Sequence, residues 1–261
     1  AFGKVDTEAA LERCVQHLNL LDPTPDMVLI TGDLTFNGSI QEYAILRAHL
    51  SILDAPYFLI PGNHDQREGH SSAFADLAYL PKTTKFIHYV VDDFPLRLIA
   101  LDTLEPGKTA GILCEERLRW LEHKLSINKS KPTIILMHHP PFKTGIEHMD
   151  RTGLANPNAL AGIVLRNNQI RLILCGHIHR PIQTMWCGVP TMTAPATAHQ
   201  VSLELRPGET GTRVMEPPAI YLHLWGVEGL VSHISYVGDY HTHSPFSSGY
   251  LASDQEHTQG H

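Results

Sequence analysis

Tyr57-Phe58-Leu59-Ile60-Pro61-Gly62-Asn63-His64-Asp65 is the stretch that decides the fold. Four apolar residues stopped by Pro-Gly read as a short buried strand. The chain then presents an amide, an imidazole and a carboxylate in succession. Asn offers a neutral oxygen ligand, His serves as acid, base or charge stabiliser, and Asp fixes an imidazole's tautomer and orientation. Taken alone, the tripeptide is equally well explained as a polar turn.

Outward from this stretch the same pattern recurs three times. The apolar run 27–31 delivers Gly32-Asp33, the run 133–137 delivers His138-His139-Pro140-Pro141, and the run 172–175 delivers Gly176-His177-Ile178-His179. Helical patterns lie between and around these runs. Asp6-Thr7 caps a helix to about residue 21, with Ala10, Leu11, Cys14, Val15, Leu18 and Leu21 at helical spacing. Ser39-Ile40-Gln41-Glu42 is a capping box that opens a helix to about residue 53. Further helices are predicted over 70–80, 115–125 and 158–167, and an antiparallel strand pair over 86–91 and 96–102. From residue 183 the pattern changes to short strands, including 200–205, 220–225 and 231–237, separated by Pro and Gly turns. Residues 1–240 read as one domain, 183–240 being its C-terminal strands, and the polar stretch 241–261 as a mobile tail.

Alternating strands and helices followed by strands alone predict a layered α/β fold with a largely parallel, buried sheet. In such sheets ligands bind beyond the carboxyl ends of the strands. Asp33, Asn63, His64, His138, His177 and His179 all follow strand ends, so one rim gathers a carboxylate, an amide and several imidazoles. The bulk composition is that of a globular chain: 43% hydrophobic, 18% charged, with a formal charge of −7. That charge argues against a nucleic-acid polymer as partner and against a polybasic membrane anchor. No apolar run approaches the roughly 18 residues that span a bilayer. The four cysteines, Cys14, Cys114, Cys175 and Cys187, form no CxxC pair and read as free thiols of a cytoplasmic protein.

The abnormal count is 18 histidines. Mixed oxygen and imidazole ligands suit Zn, Mn, Fe or Co better than Mg or Ca, and the absence of thiolates from the rim disfavours a structural zinc knot. His177-x-His179 on an extended backbone points its two rings differently and can serve two ions. A dinuclear site activates water and clamps a phosphoryl group.

The four blocks resemble the GD, GNHD, HHPP and GHxH blocks of calcineurin-like metallophosphoesterases, in the same order and over nearly the whole chain. Within that superfamily, Gly3-Lys4-Val5-Asp6, Gly38 and Thr197-Ala198-His199-Gln200 look most like bacterial class III cyclic nucleotide phosphodiesterases and glycerophosphodiesterases. The resemblance implies a four-layer α/β/β/α sandwich with two divalent ions (Fe, Mn, Zn or Co). It also implies hydrolysis of small phosphodiesters, such as cyclic nucleotides or glycerophosphodiesters, by a metal-bridging hydroxide. Asp33 corresponds to the bridging ligand; Asn63, His138 and His177 would complete the second metal site, and His179 would bind the first. His64 resembles the general acid or charge stabiliser at the leaving oxygen, with Asp65 orienting it, and His139 belongs behind the ligands or in the substrate wall. Relatives associate through C-terminal strands, for which residues 221–225 would serve here.

The family also opens with a strand ending in Asp-x-His that supplies two ligands of the first ion, and no such block precedes Gly32-Asp33 in this sequence. The expectation is an N-terminally truncated chain that lacks the first strand, holds its first ion weakly and turns over poorly. Alternative readings are a phosphomonoesterase or nuclease on the same core, or a single-metal remnant that binds phosphate or a partner without turnover. Among the other histidines, His17, His49, His88 and His123 sit in helix or strand patterns, and His241-Thr242-His243 lies in the tail. His199 is open between packing and pocket wall, and Asp102 between this rim and the opposite one.

Overall fold

Residues 5–82 and 85–240 are described by a computed structural model; the expected tail, with His241 and His243, lies outside them. The elements run α1 (Thr7–Asn19), β1 (Val28–Ile30), α2 (Ile40–Leu50), β2 (Tyr57–Leu59), α3 (Arg67–Ala73), β3 (Tyr89–Val91), β4 (Arg97–Leu101), α4 (Glu115–Ile127), β5 (Thr133–Met137), α5 (Glu147–Asp150), α6 (Pro157–Val164) and β6 (Ile170–Cys175). Strands alone follow: β7 (Ile182–Trp186), β8 (Val189–Thr193), β9 (Gln200–Val201), β10 (Arg213–Val214), β11 (Ala219–Gly226) and β12 (Gly229–Tyr236). The predicted caps form: Asp6 Oδ1 accepts from the Ala9 amide, and Ser39 and Glu42 bond each other's backbone N–H reciprocally.

The main sheet has the order β3-β4-β5-β6-β8-β7, with β4, β5, β6 and β8 parallel and both edge strands antiparallel. Its central strands β4, β5 and β6 are buried on both faces, so their alternation divides two cores. Ile99, Leu101, Ile135, Met137, Ile173 and Cys175 face α4 and α6, where Leu121, Leu125, Leu160 and Ile163 pack. Leu98, Ala100, Leu136 and Leu172 face the other way, toward Phe58, Leu59, Tyr43, Leu46 and Leu50. The second core therefore lies between the main sheet and a separate parallel pair, β1–β2, backed by α1 and α2. The layers run α/β/β/α, as expected.

Several boundaries differ from the sequence reading. The helix predicted over 70–80 is α3, seven residues beginning at Arg67; it stops at Phe74, whose ring fills the core and whose backbone (φ −117°, ψ 26°) leaves the helical region. The first helix ends before Leu20, which is 83% exposed and so has no packing to extend it. Predicted strand 86–91 shortens to β3, and 200–205 to the two residues of β9. All four cysteines are free. Among the described residues, no helix is long and apolar enough to cross a membrane.

Two buried polar features lie between α3 and the main sheet. Asp102, directly after β4, receives Arg67 through two bonds of 2.6 and 2.9 Å and the amides of Ile87 and Leu104, with Arg117 3.8 Å away. Phe86 lies under both guanidinium groups. His70, on α3, is wholly buried against Tyr43 and Phe74, and neither ring nitrogen finds a hydrogen-bond partner. Burial outweighs the nearby Asp102 charge and pushes the His70 imidazole down to about 4. The folded state thus refuses a proton that the unfolded chain accepts at its ordinary value of 6.5. Stability from this group is full above that value and is lost as pH falls toward 4. His70→Phe keeps a ring and removes the titration. At pH 5 the variant is expected to gain about 2 kcal/mol on the parent in urea unfolding, with little difference at pH 7.5. Parallel acid destabilisation of both chains would show that His70 is not responsible.

Candidate metal centre

The four blocks meet where the two sheets face each other at the carboxyl ends of β1, β2, β5 and β6. Parallel pairing sets the depth: Ile30 lies opposite Leu59 in one sheet, and Leu136 opposite Leu174 in the other. Each strand then releases its loop at the same level. The backbone must turn sharply there, and Asp33, His177 and His179 take left-handed conformations with φ of 53°, 68° and 51°. A non-glycine residue in that region costs on the order of 1 kcal/mol, and such strain concentrates at functional positions. Gly62 has no substitute, because a Cβ on it would stand 2.2 Å from Asp33 Oδ1.

Asn63 Oδ1 is the point of convergence. His177 Nδ1 lies 2.9 Å from it and His138 Nε2 3.2 Å; Asp33 Oδ1 lies 3.3 Å from the same His138 nitrogen. The other His138 nitrogen, Nδ1, is 2.6 Å from the Thr31 carbonyl, which can only accept. Nδ1 therefore carries the proton, and neutral His138 turns a bare Nε2 lone pair toward an amide oxygen and a carboxylate. Three electron-rich atoms facing one another in a buried site call for a cation. Donors around one divalent ion with bonds of roughly 2.1 Å stand about 3 Å apart, the spacing found here. Asp33, Asn63, His138 and His177 thus fit one ion.

Electrostatics agree with that fit. Burial alone would raise the Asp33 carboxyl, but the adjoining His138 and the His64 amide carry it well below the usual range. Burial lowers His138 while Asp33 raises it, and the net shift is upward. Burial and the His138 charge push His177 down to about 3, and burial lowers His179 too. Both shifts favour the neutral imidazole, the form that can ligate a metal. His179 Nδ1 is buried without a hydrogen-bond partner, and its ring lies 5.1 Å from that of His199. His199 therefore sits beside the site.

His139 belongs to the same tight group of imidazoles as His138 and His177, yet it has no free donor atom. Its Nε2 gives a proton to the Thr109 carbonyl and its Nδ1 meets the Thr103 hydroxyl at 2.7 Å. It is a wall behind the ligands.

The expected partnership of Asp65 with His64 is not found. The Asp65 carboxylate receives the amides of Leu34 and Gly62 and the hydroxyls of Thr35 and Tyr43, all at 2.9–3.0 Å. It is buried at the base of the loop and ties the ends of β1 and β2 together, whereas the exposed His64 ring points away. Phe36 orients His64 instead: its carbonyl accepts from Nδ1 at 2.9 Å and its ring stacks on the imidazole, leaving Nε2 outward. Thr31, Phe36 and Thr152 were invisible in the sequence. The first two act through backbone carbonyls, and Thr152, whose hydroxyl is 3.0 Å from His177 Nε2, lies in a distant loop.

Fold and donor set together define an α/β sandwich with a candidate metal centre between its sheets. The chain belongs to the calcineurin-like phosphoesterase family, whose profile matches residues 5–181. It is 41% identical, over 94% of its length and 90% of the relative's, to the probable glycerophosphodiester phosphodiesterase GpdQ of Arcobacter nitrofigilis. It is 30% identical to the 3',5'-cyclic adenosine monophosphate phosphodiesterase CpdA of Pseudomonas aeruginosa, over 75% of this chain and 70% of that one. A dimetal phosphatase from Danio rerio shares the fold, with a TM-score of 0.60 at 14% identity over 80% of this chain and 89% of that one.

Proposed function

We propose that this protein hydrolyses small phosphodiesters with divalent metal at the centre described above. The observation that carries the reading is the convergence of Asp33, His138 and His177 around Asn63 Oδ1. Glycerophosphodiester and cyclic nucleotide phosphodiesterases among the similar proteins support the diester class. Asn63, His138, His177 and Asp33 would hold one ion, and Asp33 with His179 is what the described residues offer to a second. Zn, Mn, Fe or Co bound there would supply charge neutralisation at the phosphoryl oxygens and activation of water.

The chain's own residues do the rest. The Thr31 carbonyl holds His138 in one orientation. His139, locked by Thr103 and Thr109, closes the wall. Phe36 keeps His64 Nε2 turned outward, where a protonated imidazole can hand its proton to a departing alkoxide.

Turnover of an aryl phosphodiester and an aryl phosphomonoester, each with excess Mn, Co or Zn, tests the proposal. The diester is expected to react at least about tenfold faster, a barrier difference of about 1.4 kcal/mol, and a chelator to stop both reactions. Excess metal offsets the small donor set at Asp33 and His179. A faster monoester, or turnover indifferent to chelation, would overturn the assignment.

A further inference from the structure

The candidate ligand His177 must offer Nδ1, the atom facing Asn63, and therefore must carry its proton on Nε2. Resting on the metal-centre reading above, we infer that Thr152 is a positioning residue that selects this tautomer and ring orientation. Its hydroxyl lies 3.0 Å from His177 Nε2 and 3.0 Å from the Met149 carbonyl. A hydroxyl has one proton. The carbonyl can only accept, so that proton goes to Met149, and the hydroxyl oxygen is left to accept from His177 Nε2–H. The lone pair on Nδ1 then faces Asn63.

The loop carrying Thr152 is built to hold this geometry. The Met149 and Asp150 amides donate to the Ile146 carbonyl, and the Thr152 amide donates to the Met149 carbonyl. The Asp150 carboxylate accepts from the Thr144 amide and hydroxyl and from the Gly145 amide. Leu154 N and Ala155 N continue the anchoring to Pro140 and Gly111. Thr152 thus reaches His177 from a closed turn, as Thr31 reaches His138 from a strand end. Each ligand ring has its rear nitrogen engaged by a different segment.

Two variants and one spectrum test this. Thr152→Val keeps the shape and removes the hydroxyl; Thr152→Ser keeps the hydroxyl. Titration of the metal-free chain with Zn or Mn against a competing chelator is expected to show about 10–100-fold weaker binding for Thr152→Val, and near-parental binding for Thr152→Ser. Histidine nitrogen NMR of the zinc-loaded parent, which needs no variant to fold, should show His177 protonated at Nε2. Equal affinity in parent and Thr152→Val, equal losses in both variants, or a bare His177 Nε2 in the loaded parent would each overturn the role. A parent chain that holds no divalent ion would instead overturn the metal centre itself and this inference with it.

Discussion

Asp33→Asn is expected to lower phosphodiester turnover and divalent-metal affinity by at least about 100-fold, the upper end of what losing a group behind a ligand costs. The substitution isolates charge. Asp33 sits at φ 53°, a left-handed conformation that Asn tolerates better than other side chains. An amide oxygen can still accept the His64 N–H that Asp33 Oδ1 receives at 3.0 Å. The melting temperature of the metal-free chain is therefore expected to hold within a few degrees. What disappears is the negative charge 3.3 Å from His138 Nε2. Burial is then opposed only by the Thr31 carbonyl and the Asp65 charge, so the His138 imidazole, raised in the parent, falls in the variant. Turnover rates, chelator competition and the His138 NMR titration read the three consequences separately. Unchanged metal affinity would remove Asp33 from the centre.

Asp102→Ala has the opposite profile, a large loss of stability with no direct effect on the donor set. The carboxylate is wholly buried and satisfies Arg67 and two backbone amides while neutralising the buried Arg117 nearby. Its removal leaves the buried Arg67 guanidinium without its counter-charge, and Arg117 with Glu105 alone at 3.7 Å. Breaking a buried pair from one side costs about 3–5 kcal/mol, equivalent to a fall in melting temperature of roughly 10 °C for a chain of this size. Arg67→Met with Asp102→Asn, which removes charge on both sides, should recover part of the loss. A single Asp102→Ala variant that melts within 2–3 °C of the parent, on the same scale, would refute this account.

Much of the site was legible because its chemistry is written in consecutive residues at strand ends. Asn63, His138 and His177 lie in three such blocks, and Asp33 in a fourth; an apolar run followed, directly or through Gly, by a ligand-type residue is a local signal. Roles that depend on where a side chain turns were not legible. Asp65 and His64 are adjacent in sequence, and adjacency suggested that one oriented the other. The loop sends them in opposite directions, and Phe36, 28 residues upstream, supplies the acceptor. Asp102 was undecided for the same reason. It ends a strand on the same side as the site, but two buried arginines claim its carboxylate.

By itself the sequence determined the layered α/β class, the principal strand runs, the helix caps and the candidate donor residues, since periodicity, capping and ligand chemistry are local properties. Only the tertiary structure decided that these donors come from two facing sheets, that His139 is spent on Thr103 and Thr109, and that Thr31 and Thr152 engage the rear nitrogens of His138 and His177. The physical reason is that a hydrogen bond across the gap between layers depends on register, depth and backbone turn together, and none of these is carried by any one stretch of chain.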